Sequence, residues 1–152
     1  MTLIGICGGS GSGKTTLVNA LQKEIGEDRR GVISQDSYYK NHPKLSFKQR
    51  CKLNFDHPDA IDFQLFEKHL RLLQSGQSIE MPSYSFETHL RNEQTQSISP
   101  KEYMVVEGIL IFTNEEFFSL FDYSIFVSSD EDTRLKRRIK RDTKERGRTQ
   151  ME

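Results

Sequence analysis

Gly8-Gly9-Ser10-Gly11-Ser12-Gly13-Lys14-Thr15-Thr16 is the stretch that decides the fold. Residues 8–15 match the spacing G-x-x-x-x-G-K-[ST]. An apolar run, Leu3-Ile4-Gly5-Ile6-Cys7, leads into the loop, and an amphipathic stretch with Leu17, Val18, Leu21 and Ile25 on one face follows it. Strand, loop and helix in that order are the setting the pattern requires. Four glycines within six positions let the backbone turn its N–H groups into one concavity. The helix that starts there adds the positive end of its dipole. Phosphate oxygens suit such a cradle. Lys14 brings a point charge for the β- and γ-phosphates, and Thr15 offers a hydroxyl to Mg²⁺. The competing reading, a glycine-rich turn that holds nothing, fits neither the full spacing nor the flanks. The loop alone does not choose among a kinase, a hydrolase and a nucleotide switch.

The rest of the composition narrows the class. A chain of 152 residues suits one domain with its own core. No run approaches the apolar length that spans a bilayer, and Gly and Lys interrupt the first apolar stretch too early for a secretory leader. Lys+Arg 22 equals Asp+Glu 22, so overall charge offers no argument for nucleic acid. Cys7 and Cys51 make neither a disulfide framework nor a metal site. The expectation is a cytoplasmic chain with no membrane or nucleic-acid partner.

Outward from the loop, residues 3–7 read as a parallel strand buried on both faces, because the apolar run is continuous. The helix after the loop ends near Gly26. Residues 31–34 form a second strand and deliver Gln35-Asp36-Ser37-Tyr38-Tyr39-Lys40 to the carboxyl edge of the sheet, where ligands bind in open α/β folds. Asp36 there is a candidate base or metal ligand; the competing role is a helix cap. A short helix is expected near 46–53. In Asn54-Phe55-Asp56-His57-Pro58-Asp59-Ala60-Ile61-Asp62, Asp62 caps a helix whose apolar positions are Phe63, Phe66, Leu70 and Leu73. Asp56 is read as a ligand and His57 as a brace of the loop.

Residues 79–86 and 95–99 are extended, and together predict a β-hairpin excursion, about 79–99, carrying Tyr84, Phe86 and His89. On an exposed arm these rings suit stacking on a flat ligand; a small satellite core is the alternative. The run 103–112 is the most apolar, and Gly108 breaks it. Glu107, at the end of a buried strand, is placed to hold Mg²⁺ directly or through water. Asn114 caps a short helix over 115–120, and 123–127 is a fourth strand. A helix with acids in its first turn then opens the segment from Arg134 to Arg148, which holds nine of the 22 basic residues. Leu135 and Ile139 are expected to face inward, with Arg134, Arg138 and Arg141 as a separate stripe and Gly147 as a joint. A solvated face and a nucleic-acid patch compete with a lid closing on a phosphoryl group; the upstream loop favours the lid.

Together these segments resemble the uridine kinase (uridine/cytidine kinase) family of P-loop kinases. The resemblance rests on Gly8–Thr16, Gln35–Lys40, Asn54–Asp62, Pro82-Ser83-Tyr84-Ser85-Phe86 with His89 and Arg91, Glu107-Gly108-Ile109-Leu110, and Thr133–Arg148. It implies an α/β fold, a parallel sheet wound by helices, with the hairpin over a nucleoside site. It implies transfer of the γ-phosphoryl of ATP or GTP, with Mg²⁺, to the 5′-hydroxyl of uridine or cytidine in pyrimidine salvage. By the same resemblance Asp36 is the general base, acting with Lys14 and Arg141. Asp56 and Arg138 meet the ribose diol, and Tyr84, Phe86 and His89 hold the pyrimidine. Tyr39, Phe55, Ile109 and Arg141 line the nucleoside pocket. Lys14, Thr15 and Glu107 manage phosphates and Mg²⁺, and Arg146 and Arg148 belong to the lid over the donor.

The chain departs from the family in places. Ser85 stands where the family has an aspartate, and Ser128-Ser129-Asp130 replaces Asp-Thr-Asp. Family members continue past the Glu-Arg-Gly-Arg segment through more helix, a last strand and a terminal helix. The strand at 123–127 is therefore expected to be an open parallel edge, which invites association into a homo-oligomer. Two further classes stand beside the active kinase. One is a catalytically impaired nucleotide-binding module. The other is a P-loop kinase acting on a different small alcohol, which the aromatic–His arm disfavours.

Overall fold

The computed structural model describes residues 1–145, the last five of these as helix backbone only. In chain order the elements are β1 (Thr2–Cys7), α1 (Lys14–Ile25), β2 (Arg30–Ser34), α2 (Phe47–Arg50), α3 (Phe63–Gln74), β3 (Ile79–Ser85), β4 (Leu90–Ile98), β5 (Tyr103–Gly108), α4 (Glu115–Phe118), β6 (Tyr123–Phe126) and α5 (Glu131–Glu145). Short 3-10 turns lie at Gln35–Tyr38 and Pro58–Ala60. Four strands make a parallel sheet in the order β2-β5-β1-β6, and β3 and β4 pair antiparallel as a separate hairpin. No helix among the described residues is long and apolar enough to cross a membrane.

Side chains along the central strands alternate between two cores, which explains the continuous apolar runs. Leu3, Cys7, Ile33, Met104 and Val106 enter the larger core, with Phe66, Leu70 and Leu73 of α3 and Phe117 of α4. Ile6 and Val105 enter the smaller one, against Val18 of α1, with Ile4, Val32 and Leu17 at its margin. Each fully buried Leu, Ile or Phe contributes about 1.5–3 kcal/mol. Both helix faces are thus specified by the period of their apolar residues.

α3 begins where Asp62 Oδ1 accepts a hydrogen bond from the Leu65 N–H at 3.1 Å. Its buried face also carries His69, whose Nδ1 lies 3.0 Å from the Tyr38 hydroxyl. Tyr38 in turn stacks on Phe66 with ring centroids 3.9 Å apart. Burial, and then the charges of Lys68 and Arg91, hold the His69 pKa below its ordinary 6.5, against a smaller opposing effect of Asp62. The folded chain therefore resists a proton that the unfolded chain accepts below about pH 6.5. Stability is full above that pH and falls as pH drops toward the lowered folded value. Urea melts between pH 7 and 5 should show this slope, and His69→Gln should flatten it; an unchanged slope would assign the acid lability to other groups.

The hairpin differs in detail from the expectation. Its second strand starts at Leu90 rather than near 95, and the register shifts between Pro82 and Tyr84. Most of β4 is exposed and polar, so no apolar alternation marks where it begins. Arg91 docks the hairpin on the sheet: Nε donates to the Tyr39 carbonyl at 2.9 Å, and Nη2 pairs with Asp62 at 3.1 Å. Helices α2 and α4 are each a single turn, shorter than expected.

One expectation is corrected outright. Leu135 and Ile139 do not face inward; they are 55% and 38% exposed. α5 meets the glycine loop and Asp56 through Arg137 and Arg138 instead. Among the described residues β6 is an edge strand, as expected, with Tyr123 and Phe126 about two-thirds exposed.

Candidate active site

The parallel register brings the carboxyl ends of three strands into one row. Ile6 of β1 lies beside Glu107 of β5, and Glu107 beside Ser34 of β2. The glycine loop therefore leaves the sheet next to the acid that ends β5 and the turn that carries Asp36. A cleft of about 900 Å³ opens over this edge. Residues 10–16 of the loop, Asp36, Tyr39, Phe55, Asp56, Phe86, Glu107, Ile109, Arg137 and Arg138 all line it.

At the loop end, Gly11 and Gly13 take φ of 78° and 104°, a left-handed backbone that favours glycine. Gly13 precedes α1 with no side-chain cap, which leaves the first N–H groups of the helix to the cleft. Lys14 is buried, and its Nζ donates to the carbonyls of Gly8 at 2.9 Å and Gly9 at 3.2 Å. Thr15 and Thr16 are exposed on the first turn of α1. Cys7, just before the loop, is buried; its thiol donates to the Ile109 carbonyl at 3.5 Å, and burial pushes its pKa up.

A single serine organises the two acids. Ser34 Oγ donates to Glu107 Oε1 at 2.5 Å and accepts from the Asp36 backbone N–H at 3.3 Å. Gln35, between them, is fully buried, and its Oε1 accepts from the Leu110 N–H at 2.7 Å. That bond turns the chain after Gly108, where a Cβ would stand only 2.4 Å from the same oxygen. Nothing local in the sequence marks the roles of Ser34 and Gln35, whose partners are more than seventy residues away.

The other end of the cleft is aromatic. Tyr39 meets Phe55, Tyr84 and Phe86 with centroid distances of 5.3, 5.1 and 6.3 Å. His89 stacks on Phe55 at 4.8 Å and 19°, with Phe47 on a 6.2 Å contact. The arm is not exposed as expected: His89 is 7% exposed, and Tyr84 and Phe86 are half-buried. Arg50 causes this. Its Nε donates to the Thr88 carbonyl at 2.9 Å and its Nη1 to the Leu45 carbonyl, so the hairpin tip is held against the 41–55 segment. Tyr39 belongs to the larger core, with Phe55, Tyr84 and Phe86 packed against it; Tyr39, Phe55 and Phe86 line the cleft, and Tyr84 and His89 stand behind them.

α5 spans the cleft. Asp130 Oδ1 accepts from the Thr133 N–H at 2.8 Å, a bond that holds the Asp130 carboxyl below its ordinary pKa. Arg137 Nη1 donates to the Gly11 carbonyl at 3.2 Å, and Arg138 Nη1 lies 3.5 Å from Asp56 Oδ2. Arg137 was absent from the expected set. The side chain of Arg141, and Arg146, Gly147 and Arg148, lie outside the described residues. His57 braces its own turn, its Nδ1 accepting from the Asp59 N–H at 3.2 Å.

Among the described residues no group of three or more His, Cys, Asp or Glu could hold a metal ion. Among the oxygen-bearing side chains that line the cleft are the Thr15 hydroxyl and the Glu107 carboxylate. That set fits Mg²⁺, which commonly takes one or two protein oxygens and completes its shell with phosphates and water.

A sequence profile of the Phosphoribulokinase / Uridine kinase family matches residues 3–152. A uridine kinase of Clostridium perfringens is 48% identical over 146 residues, which cover 96% of this chain and 70% of that protein. Among solved structures, one described as a fructose transport system kinase, from Silicibacter sp. TM1040, superposes with a TM-score of 0.76 at 20% identity, covering 92% of this chain and 71% of that one. Another, described as a possible uridine kinase from Bacillus stearothermophilus, gives 0.65 at 20% identity, covering 95% and 82%. At that identity the two structures speak for the fold.

Proposed function

The chain belongs to the phosphoribulokinase and uridine kinase family, and from that premise we propose that it transfers the γ-phosphoryl group of ATP or GTP to the 5′-hydroxyl of uridine or cytidine, a pyrimidine-salvage reaction. One observation carries the reading: a single cleft joins the glycine loop and Lys14 to an acid, Asp36, and to a wall of Tyr39, Phe55 and Phe86. A sugar phosphate or another small polar alcohol would leave that apolar wall unused, whereas a flat base stacks on it.

In this reading the donor phosphates lie on the loop N–H groups, and Lys14 moves from the Gly8 and Gly9 carbonyls to the β- and γ-oxygens. Asp36 accepts the proton of the attacking hydroxyl. Asp56 and Arg138, already facing each other, take the ribose diol between them. Tyr84 and His89 hold Tyr39 and Phe55 in place behind the base. Thr15 and Glu107 would hold Mg²⁺, which when bound neutralises charge on the phosphates. Arg141, Arg146 and Arg148 are assigned to the lid on the family resemblance. Phosphoryl transfer asks mainly for position and charge, and the cleft residues supply both.

The test is a coupled ADP-release assay on the full chain with Mg·ATP and a panel of nucleosides and sugar phosphates. Uridine and cytidine should turn over, and purine nucleosides and sugar phosphates should not. Turnover no higher than that of Asp36→Asn would reject the reading. ATP binding without transfer would mark the chain as an impaired nucleotide-binding module.

A further inference from the structure

We propose that Arg137 is a phosphate-binding residue of the donor site, separate in position and task from Arg138 beside it; the inference rests on the kinase reading above. The starting point is how α5 is seated. A Cβ on Gly9 would stand 1.9 Å from Arg134 Nη1, and one on Gly11 would stand 2.6 Å from the Arg134 carbonyl oxygen. The start of α5 therefore lies directly on the glycine loop, its backbone closer to Gly11 than a larger residue there would allow. Arg134 thus fixes where the next turn of the helix goes.

Three residues further, on the same side of the helix, is Arg137. Its Nη1 donates to the Gly11 carbonyl at 3.2 Å and lies 4.0 Å from where a Cβ on Gly13 would be. These glycines bracket the N–H groups that cradle phosphate. Arg138, rotated about 100° onward, reaches Asp56 on the nucleoside side instead. Adjacent arginines on one helix are thus divided between the two substrates.

The bond Arg137 makes is the kind a phosphate displaces. It spends one of five N–H donors on a neutral carbonyl, at an exposed position. Charge-assisted bonds to phosphate are roughly twice as strong, and the planar fork matches two phosphate oxygens at once. Donor binding would exchange the Gly11 carbonyl for phosphate oxygens, with α5 already seated on the loop.

Calorimetric titration of the full chain with Mg·ADP, AMP and uridine tests this, with thermal melts to check folding. Arg137→Ala should weaken ADP by roughly tenfold or more, the loss of a charge-assisted pair. AMP should weaken much less and uridine not at all. Arg137→Lys should recover part of the ADP affinity. Equal ADP affinity in Arg137→Ala and the parent chain would overturn the inference and leave the kinase reading standing. Equal losses for ADP and uridine would also overturn it, showing that Arg137 only docks the helix. A parent chain that binds no ADP would remove both readings.

Discussion

Replacing Asp36 by Asn should lower kcat for uridine phosphorylation by about 10²–10⁴-fold while leaving the KM for uridine within a few-fold, the range expected for loss of a positioned general base. The geometry separates position from chemistry. The turn that carries Asp36 is set by its backbone N–H on Ser34 Oγ and by the buried Gln35 side chain on Leu110. Neither bond involves the Asp36 carboxylate, so Asn should keep the turn and the thermal midpoint. What it loses is a carboxylate able to accept a proton at the cleft edge. The double measurement is needed because a collapse of the turn would also abolish activity, but with a lowered melting temperature and a raised KM. Activity within tenfold of the parent chain, at unchanged stability, would show that another group takes the proton.

Much of this site was legible in the sequence, for reasons that can be stated residue by residue. The glycine loop demands a backbone that few sequences permit, so its residues and its structure carry the same information. Asp36 and Glu107 are acids at the ends of apolar strands, and parallel strands deliver their carboxyl ends to one edge. Ser34 left no such mark. It matters only because β2 pairs with β5 and places it beside Glu107. The start of β4 was hidden because both its faces are polar, and burial of His89 was hidden because it depends on Arg50 reaching the Thr88 carbonyl. In α5 the spacing of Leu135 and Ile139 marked an apolar face correctly, but periodicity cannot say whether anything covers that face. Arg137 was passed over because a helix so rich in arginine offers no contrast among them. Contact with the loop, not pattern, singles it out.

Lys14→Met should separate catalysis from stability. Lys14 is 8% exposed, and its ammonium donates to two carbonyls of its own loop. Holding a cation there costs solvation, a cost that the anionic phosphates of a bound donor would offset. Met preserves length and apolar stem without the charge. The melting temperature of Lys14→Met should therefore be equal to or higher than that of the parent chain, a trade of stability for function seen where a site is built for charge. Turnover should move the other way, falling by about 10²–10³-fold, as when one fixed charge or donor is removed from a developing anion. Nucleotide affinity should fall with it, since the same ammonium meets the β- and γ-phosphates in the ground state. A variant that melts well below the parent chain would recast Lys14 as a strut for the loop. One that keeps turnover within tenfold would take the loop out of phosphoryl transfer, and with it the premise that the cleft is a kinase site.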